Sequence, residues 1–119
     1  MTNPLTHEEL SRYTGTECYY RHALVRTIVY TDGAKAVADK GGAYWLLDII
    51  AIAQRGNRLV AAELFQVWTL TVADSKASLI CEDGFDNTIY RQDIPFTDFP
   101  LPSIKFYVCD KVIMLPSEN

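Results

Sequence analysis

Between Trp68 and Cys81 one antiparallel pairing satisfies the sequence, and it constrains the fold more than any other feature. With Asp74-Ser75 as a two-residue loop, Val72 faces Ala77, Leu70 faces Leu79 and Trp68 faces Cys81. Thr69, Thr71 and Ala73 then lie opposite Ile80, Ser78 and Lys76 on the other face. A slip of one residue would send every apolar side chain to the polar side, so the register is specified. One apolar and one polar face predict a sheet covered on one side. A second hairpin turns at Asp110-Lys111, with Val108 facing Ile113 and Phe106 facing Leu115. Between the hairpins, Pro95, Pro100 and Pro102 exclude a central strand, while Thr88 to Asp93 can supply a short edge strand.

Upstream of residue 60 the period is helical. Thr6-His7-Glu8-Glu9 fits a capping box, with Leu5 and Leu10 placed to staple across it, and this first helix is expected to end near Tyr13. Cys18 to His22 reads as extended and aromatic, and Thr27 to Thr31 as a short β-branched strand. A second helix is expected from Ala34 to Lys40, capped by Asp32 and closed by Gly41-Gly42. The third, Ala43 to Gln54, is apolar except at Tyr44, Asp48 and Gln54, which marks a central helix buried on most sides. Tyr44, Asp48, Ala51 and Arg55 define its narrow outward stripe. The expected fold is α+β: N-terminal helices packed on one face of an antiparallel sheet made of two β-hairpins, in a single domain over residues 1–119.

With 119 residues, 49% of them apolar, the chain can bury a core without disulfides or metal. No apolar run reaches the roughly 18–20 residues of a membrane span. The start, Met1 to Glu9, lacks the basic and apolar regions of a signal peptide, so a cytoplasmic location is expected. Three cysteines without CxxC spacing (Cys18, Cys81, Cys109) suit free thiols in a reducing compartment. A Cys3His zinc site joining them to His22 would leave two of its ligands isolated in separate strands, whereas structural zinc sites take their ligands as close pairs. The net charge of −4 argues against general phosphate binding, so nucleic acid is an unlikely partner. Residues 1–58 nevertheless carry seven Lys/Arg against six Asp/Glu, and residues 59–119 four against nine, so an anion site belongs in the N-terminal half.

The strongest candidate site is Tyr19-Tyr20-Arg21-His22 with Arg26 beyond it: aromatics, guanidiniums and an imidazole that can stack on and clamp an anionic ligand. Its alternative is an edge strand with mixed aromatics. His22 with Asp32 or Asp48 could form a base–orienter pair, and Cys18 with His22 a nucleophile–base pair, although residues four apart on a strand stand about 13 Å from each other. Asp48, on a very apolar helix, either lines a cleft with Tyr44 or occupies the exposed stripe and pairs with Arg55 or a loop donor. The ligand-binding candidates are therefore Tyr20, Arg21, His22, Tyr44 and Asp48. Glu82 to Asn87 lacks the ligand order of a calcium loop and reads as a turn with Gly84 at positive φ. No P-loop, GxGxxG, HExxH or GxSxG occurs, so neither a cofactor nor a catalytic residue is assigned.

Tyr13-Thr14-Gly15-Thr16-Glu17, Tyr20-Arg21-His22, Tyr30-Thr31-Asp32-Gly33, Gly42 to Asp48 and Val112 to Glu118 together carry a resemblance. The chain resembles a family of small bacterial proteins of unknown function that includes copies on plasmids and phages. That resemblance implies a stand-alone domain and brings no activity, cofactor or catalytic residue with it. The functional expectation is a non-enzymatic accessory or interaction protein that takes a protein partner or self-associates through surplus apolar surface on the third helix. The alternative is a small-molecule or nucleotide-binding domain with its site around Arg21, His22 and Asp48. A third idea, nucleic-acid mimicry by the acidic half, rests only on carboxylates scattered over turns.

Overall fold

The computed structural model describes residues 5–119; the first four residues of the N-terminal segment read above lie outside it. Thr6 caps helix α1 (His7–Leu10) by accepting from the Glu9 N–H at 3.1 Å. The helix is shorter than expected, and the Glu9 carboxylate pairs with Lys40. Leu5 and Leu10 are both buried in the core.

Two three-residue strands follow, β1 (Tyr19–Arg21) and β2 (Val29–Thr31), paired antiparallel. Helix α2 (Asp32–Gly41) is capped by Thr31, whose hydroxyl accepts from Ala34 N, rather than by Asp32. Asp32 falls one residue inside the helix because its carboxylate is taken by the Glu17 N–H and the Tyr20 hydroxyl. Gly42, at φ 60°, ends the helix as the Gly-Gly pair predicts. Helix α3 (Tyr44–Gly56) buries Leu46, Leu47, Ile50, Ala51 and Ala53, and α4 (Arg58–Ala61) follows with Asn57 as its cap. The outward line of α3 runs through Ile52 instead of Ala51.

The remaining strands are β3 (Phe65–Ala73), β4 (Lys76–Asp83), β5 (Thr88–Ile94), β6 (Ser103–Cys109) and β7 (Val112–Met114), ending in a 3-10 turn at Pro116–Glu118. The first hairpin has the expected register, Trp68 on Cys81, Leu70 on Leu79 and Val72 on Ala77. Asp74 and Ser75 both take positive φ, the backbone twist that a two-residue hairpin needs. The second hairpin turns at Asp110-Lys111 and pairs Val108 with Ile113, but β7 stops at Met114, so Leu115 leaves the ladder and buries its side chain at the sheet's end. In the loop after β4 the positive φ belongs to Asp86, not Gly84. Asp83 organises that loop, accepting from Phe85 N, Asn87 N and Asn87 Nδ2, and its carboxyl is held below the usual range chiefly by the Asn87 N–H.

The sheet is larger than two hairpins. Its order is β1-β2-β7-β6-β3-β4-β5, seven strands that are antiparallel except where β2 runs parallel to β7. Pairing of β3 with β6 joins the hairpins, and β2 docks on β7 through Val29–Val112 and Tyr30–Ile113. One core cluster unites Val37 of α2 and Leu46, Leu47 and Ile50 of α3 with Trp68, Leu70, Leu79, Phe106 and Ile113 of the sheet. Among the described residues no helix is long and apolar enough to cross a membrane.

Candidate functional site

β1 lies at the sheet edge and ends at Arg21, so His22 begins a loop that returns to β2 at Val29. The loop closes around the imidazole. His22 N donates to Ile28 O at 2.9 Å, and Ile28 N to Val25 O at 3.0 Å. His22 Nδ1 accepts from Leu24 N at 3.1 Å and Val25 N at 3.0 Å. Two N–H groups aimed at Nδ1 place the ring proton on Nε2, which donates to Asp48 Oδ1 at 2.8 Å. The ring is 4% exposed and both its nitrogens are engaged. The base–orienter geometry of His22 and Asp48 therefore forms, yet it leaves no ring nitrogen free to take a substrate proton. Asp48 stands on the exposed line of α3 and finds a loop donor, His22, instead of Arg55.

Arg21 reaches across the same loop and donates from Nη1 to Arg26 O at 2.6 Å. Arg21 and the His22–Asp48 pair thus tie down one loop by separate contacts. Tyr20 and Tyr44 do not join them. Tyr20 donates to Asp32 at the start of α2, and Tyr44 to Asp39 near its end, with Lys35 2.7 Å from Asp39 and 5.4 Å above the Tyr20 ring. The Glu17 N–H chiefly, with the Tyr20 hydroxyl, holds the Asp32 carboxyl below its ordinary range. The same bond pushes the Tyr20 hydroxyl up. Asp39 is likewise held low, first by Lys35, while its hydrogen bonds push Lys35 and Tyr44 up.

The thiols are not gathered into one group. Cys18 is exposed ahead of β1, and Cys81 is in the core, where burial, with the Glu63 carboxylate adding, pushes its thiol up to about 12. Among the described residues no three His, Cys, Asp or Glu side chains gather as a metal would require.

Next to the His22 loop lies a cleft of about 680 Å³, bounded by that loop, the end of α3, the α4–β3 connection and the β6–β7 turn. Leu24, Ile28 and Leu64 give it apolar walls. Gln54 and Gln66 meet at its lining as a reciprocal amide pair, at 2.7 and 2.8 Å. Gln66 is fully buried and satisfied: its Oε1 also accepts from Trp68 Nε1 at 2.9 Å, and its Nε2 faces Val60 O and Glu63 O. Because an indole N–H only donates, the Gln66 amide has one possible orientation. Arg26, Arg55 and Lys111 line the cleft from three separate elements.

Sequence reasoning found the loop and missed the cleft. One available signal was Gln66 itself. Extending the hairpin register two residues before Trp68 puts a glutamine on the apolar face, where a polar side chain demands a buried partner.

A family model matches residues 4–119, described as a family of unknown function, DUF6876. The chain belongs to the DUF6876 family. The match spans every segment that carried the sequence resemblance, and membership of DUF6876 assigns no activity to the cleft or to the His22 loop. No curated protein matches the chain, and no solved structure does.

Proposed function

We propose that this DUF6876 protein is a small-molecule-binding domain whose ligand seats in the cleft beside the His22 loop. The observation that carries this reading is a preformed concavity of about 680 Å³, within the range of about 300–1,000 Å³ typical of ligand sites. Apolar walls with a few fixed polar groups are what such sites present. Arg21, His22 and Asp48 do not line the cleft; their hydrogen bonds tie down the loop that carries Leu24 and Arg26 into its wall. Engagement of both His22 nitrogens favours recognition over turnover.

The test is a fragment screen followed by amide chemical-shift mapping on ¹⁵N-labelled protein. Hits are expected to perturb Leu24 to Ile28, Gln54, Leu64 and Lys111. Ala61→Trp, which fills the cleft from the exposed end of α4, is expected to abolish these shifts. Hits that map elsewhere, or that survive Ala61→Trp, refute the reading.

A second reading, that the protein works through a protein partner or by self-association, is favoured by apolar side chains at the cleft rim. Leu24 is 66% exposed and Leu64 77%. On the surface of α3 the surplus is limited to Ile52 and part of Tyr44, so a dimer would use the rim more than the helix. Light scattering across a concentration series decides this, and a monomer at the highest concentration removes self-association. A bacterial or mobile-element accessory role rests on the family resemblance, and a cytoplasmic setting on three free thiols.

A further inference from the structure

Resting on the cleft reading above, we infer that the ligand is a free amphipathic organic anion, an apolar body bearing one carboxylate or comparable acidic group. Three observations converge on this chemistry. The first is charge. The whole chain carries −4, yet three of its eleven cations, Arg26, Arg55 and Lys111, line this one cleft. Two carboxylates, Glu63 and Asp110, share the lining, which leaves it a positive spot on an acidic protein, and such a concavity draws anions in.

The second is availability. The ion pairs among the described residues are His22–Asp48, Lys35–Asp39, Lys40–Glu9 and Arg91–Asp93, so none of the three cleft cations is committed to a carboxylate. Their elements are nevertheless fixed. Arg26 O is held by Arg21, and the turn that carries Lys111 is tied on both sides, Asp110 N to Leu64 O at 3.0 Å and Val29 N to Lys111 O at 3.1 Å.

The third is the company these cations keep. Leu24 and Leu64, two strongly exposed leucines, stand on the same cleft. A simple inorganic anion would leave them wet, and a neutral hydrocarbon would leave three cations unanswered; an amphipathic anion answers both.

Octanoate and octanol share one apolar chain and differ in charge, so they serve as probes in titration calorimetry on the intact protein. Octanoate is expected to bind at least about tenfold tighter than octanol, a difference of about 1.4 kcal/mol, and to weaken as salt rises. Arg26→Gln with Arg55→Gln is expected to remove that preference, whereas Arg91→Gln, on the far sheet edge, leaves it intact. Equal binding of the two probes in the cleft overturns the anion inference while the cleft reading stands. Inorganic phosphate binding as tightly as octanoate overturns the amphipathic part. Octanoate shifts that ignore Ala61→Trp overturn the cleft reading and this inference with it. Phosphatidylglycerol vesicles, sedimented with the protein, separate a lipid surface from a free ligand: capture by vesicles without octanoate binding overturns the inference.

Discussion

His22 shows how far a single residue can be read. Its chemistry marks it as a candidate, and of the two carboxylates open to it, Asp32 and Asp48, it is hydrogen-bonded to Asp48. What the sequence could not supply is where the strand stops. With β1 ending at Arg21, His22 leaves the extended conformation, and its Nδ1 becomes an acceptor for the N–H groups two and three residues on. Loop geometry of this kind has no periodicity to betray it. His22→Ala would leave Leu24 N and Val25 N without that acceptor, at a cost of about 1–3 kcal/mol in addition to lost packing. His22→Asn should cost less, because asparagine Oδ1 accepts from backbone N–H groups two residues ahead. Urea denaturation of both variants checks this; equal losses would mean that the ring's packing, not its Nδ1 acceptor, holds the loop. Asp48→Ala leaves the Nε2–H of the buried His22 ring without its acceptor, and a loss of about 1–3 kcal/mol is expected.

At the scale of elements, the two turns were legible because their chemistry is local. Asp74-Ser75 and Asp110-Lys111 each sit between strands whose alternation fixes the register, and all four residues take positive φ. The start of α2 was legible to within one residue at its cap, but the carboxylate on its first turn was not, because it lies 85 residues from Gly33. Glu118 accepts from Thr31 Oγ1 at 2.6 Å, Gly33 N at 3.1 Å and Leu115 N at 3.0 Å, so a carboxylate from the C-terminal turn sits on the first turn of the helix. Negative charge there is favourable. The approach is close enough that a Cβ on Gly33 would stand 2.7 Å from Leu115 Cδ1 and closer still to the Glu118 carboxylate. Gly33→Ala is therefore expected to destabilise by about 1–3 kcal/mol through overpacking, although alanine is the better helix former. Combining it with Glu118→Ala should cost less than the sum of the single losses, because one change removes what the other collides with. Strict additivity in a thermal double-mutant cycle would count against this contact.

The same helix start also predicts an acid response. Asp32 binds its proton less readily when folded, so its stabilisation is complete above the unfolded carboxyl value of about 3.9. It is lost as pH falls through the lower folded value. Asp32→Asn should flatten that part of the stability profile below about pH 4 and leave the neutral-pH slope alone. An unchanged acid limb would show that the other carboxylates held low, Asp39 and Asp83, carry the response instead.

For the whole molecule, the helical first half and the hairpin second half were visible as a change of period, but their union was not. β1 and β2 are three residues each, too short to show alternation, and the parallel β2–β7 contact follows from no local signal. That contact ties the N-terminal strands to the last strand, while Glu118 ties the last turn back to α2. The chain closes on itself twice near its ends. A fold joined this way should not lose its first half separately from its second. Trp45 reports on α3 and Trp68 on the sheet interior, so single-tryptophan variants, Trp45→Phe and Trp68→Phe, follow the two halves independently. Their thermal transitions should each coincide with the far-UV dichroism of the same variant, the signature of one cooperative unit. Deleting residues 116–119 should lower the midpoint while keeping that coincidence, since it removes a tie without freeing either half. A transition of α3 that precedes that of the sheet, in the full chain, would mean that the two closures do not couple the halves.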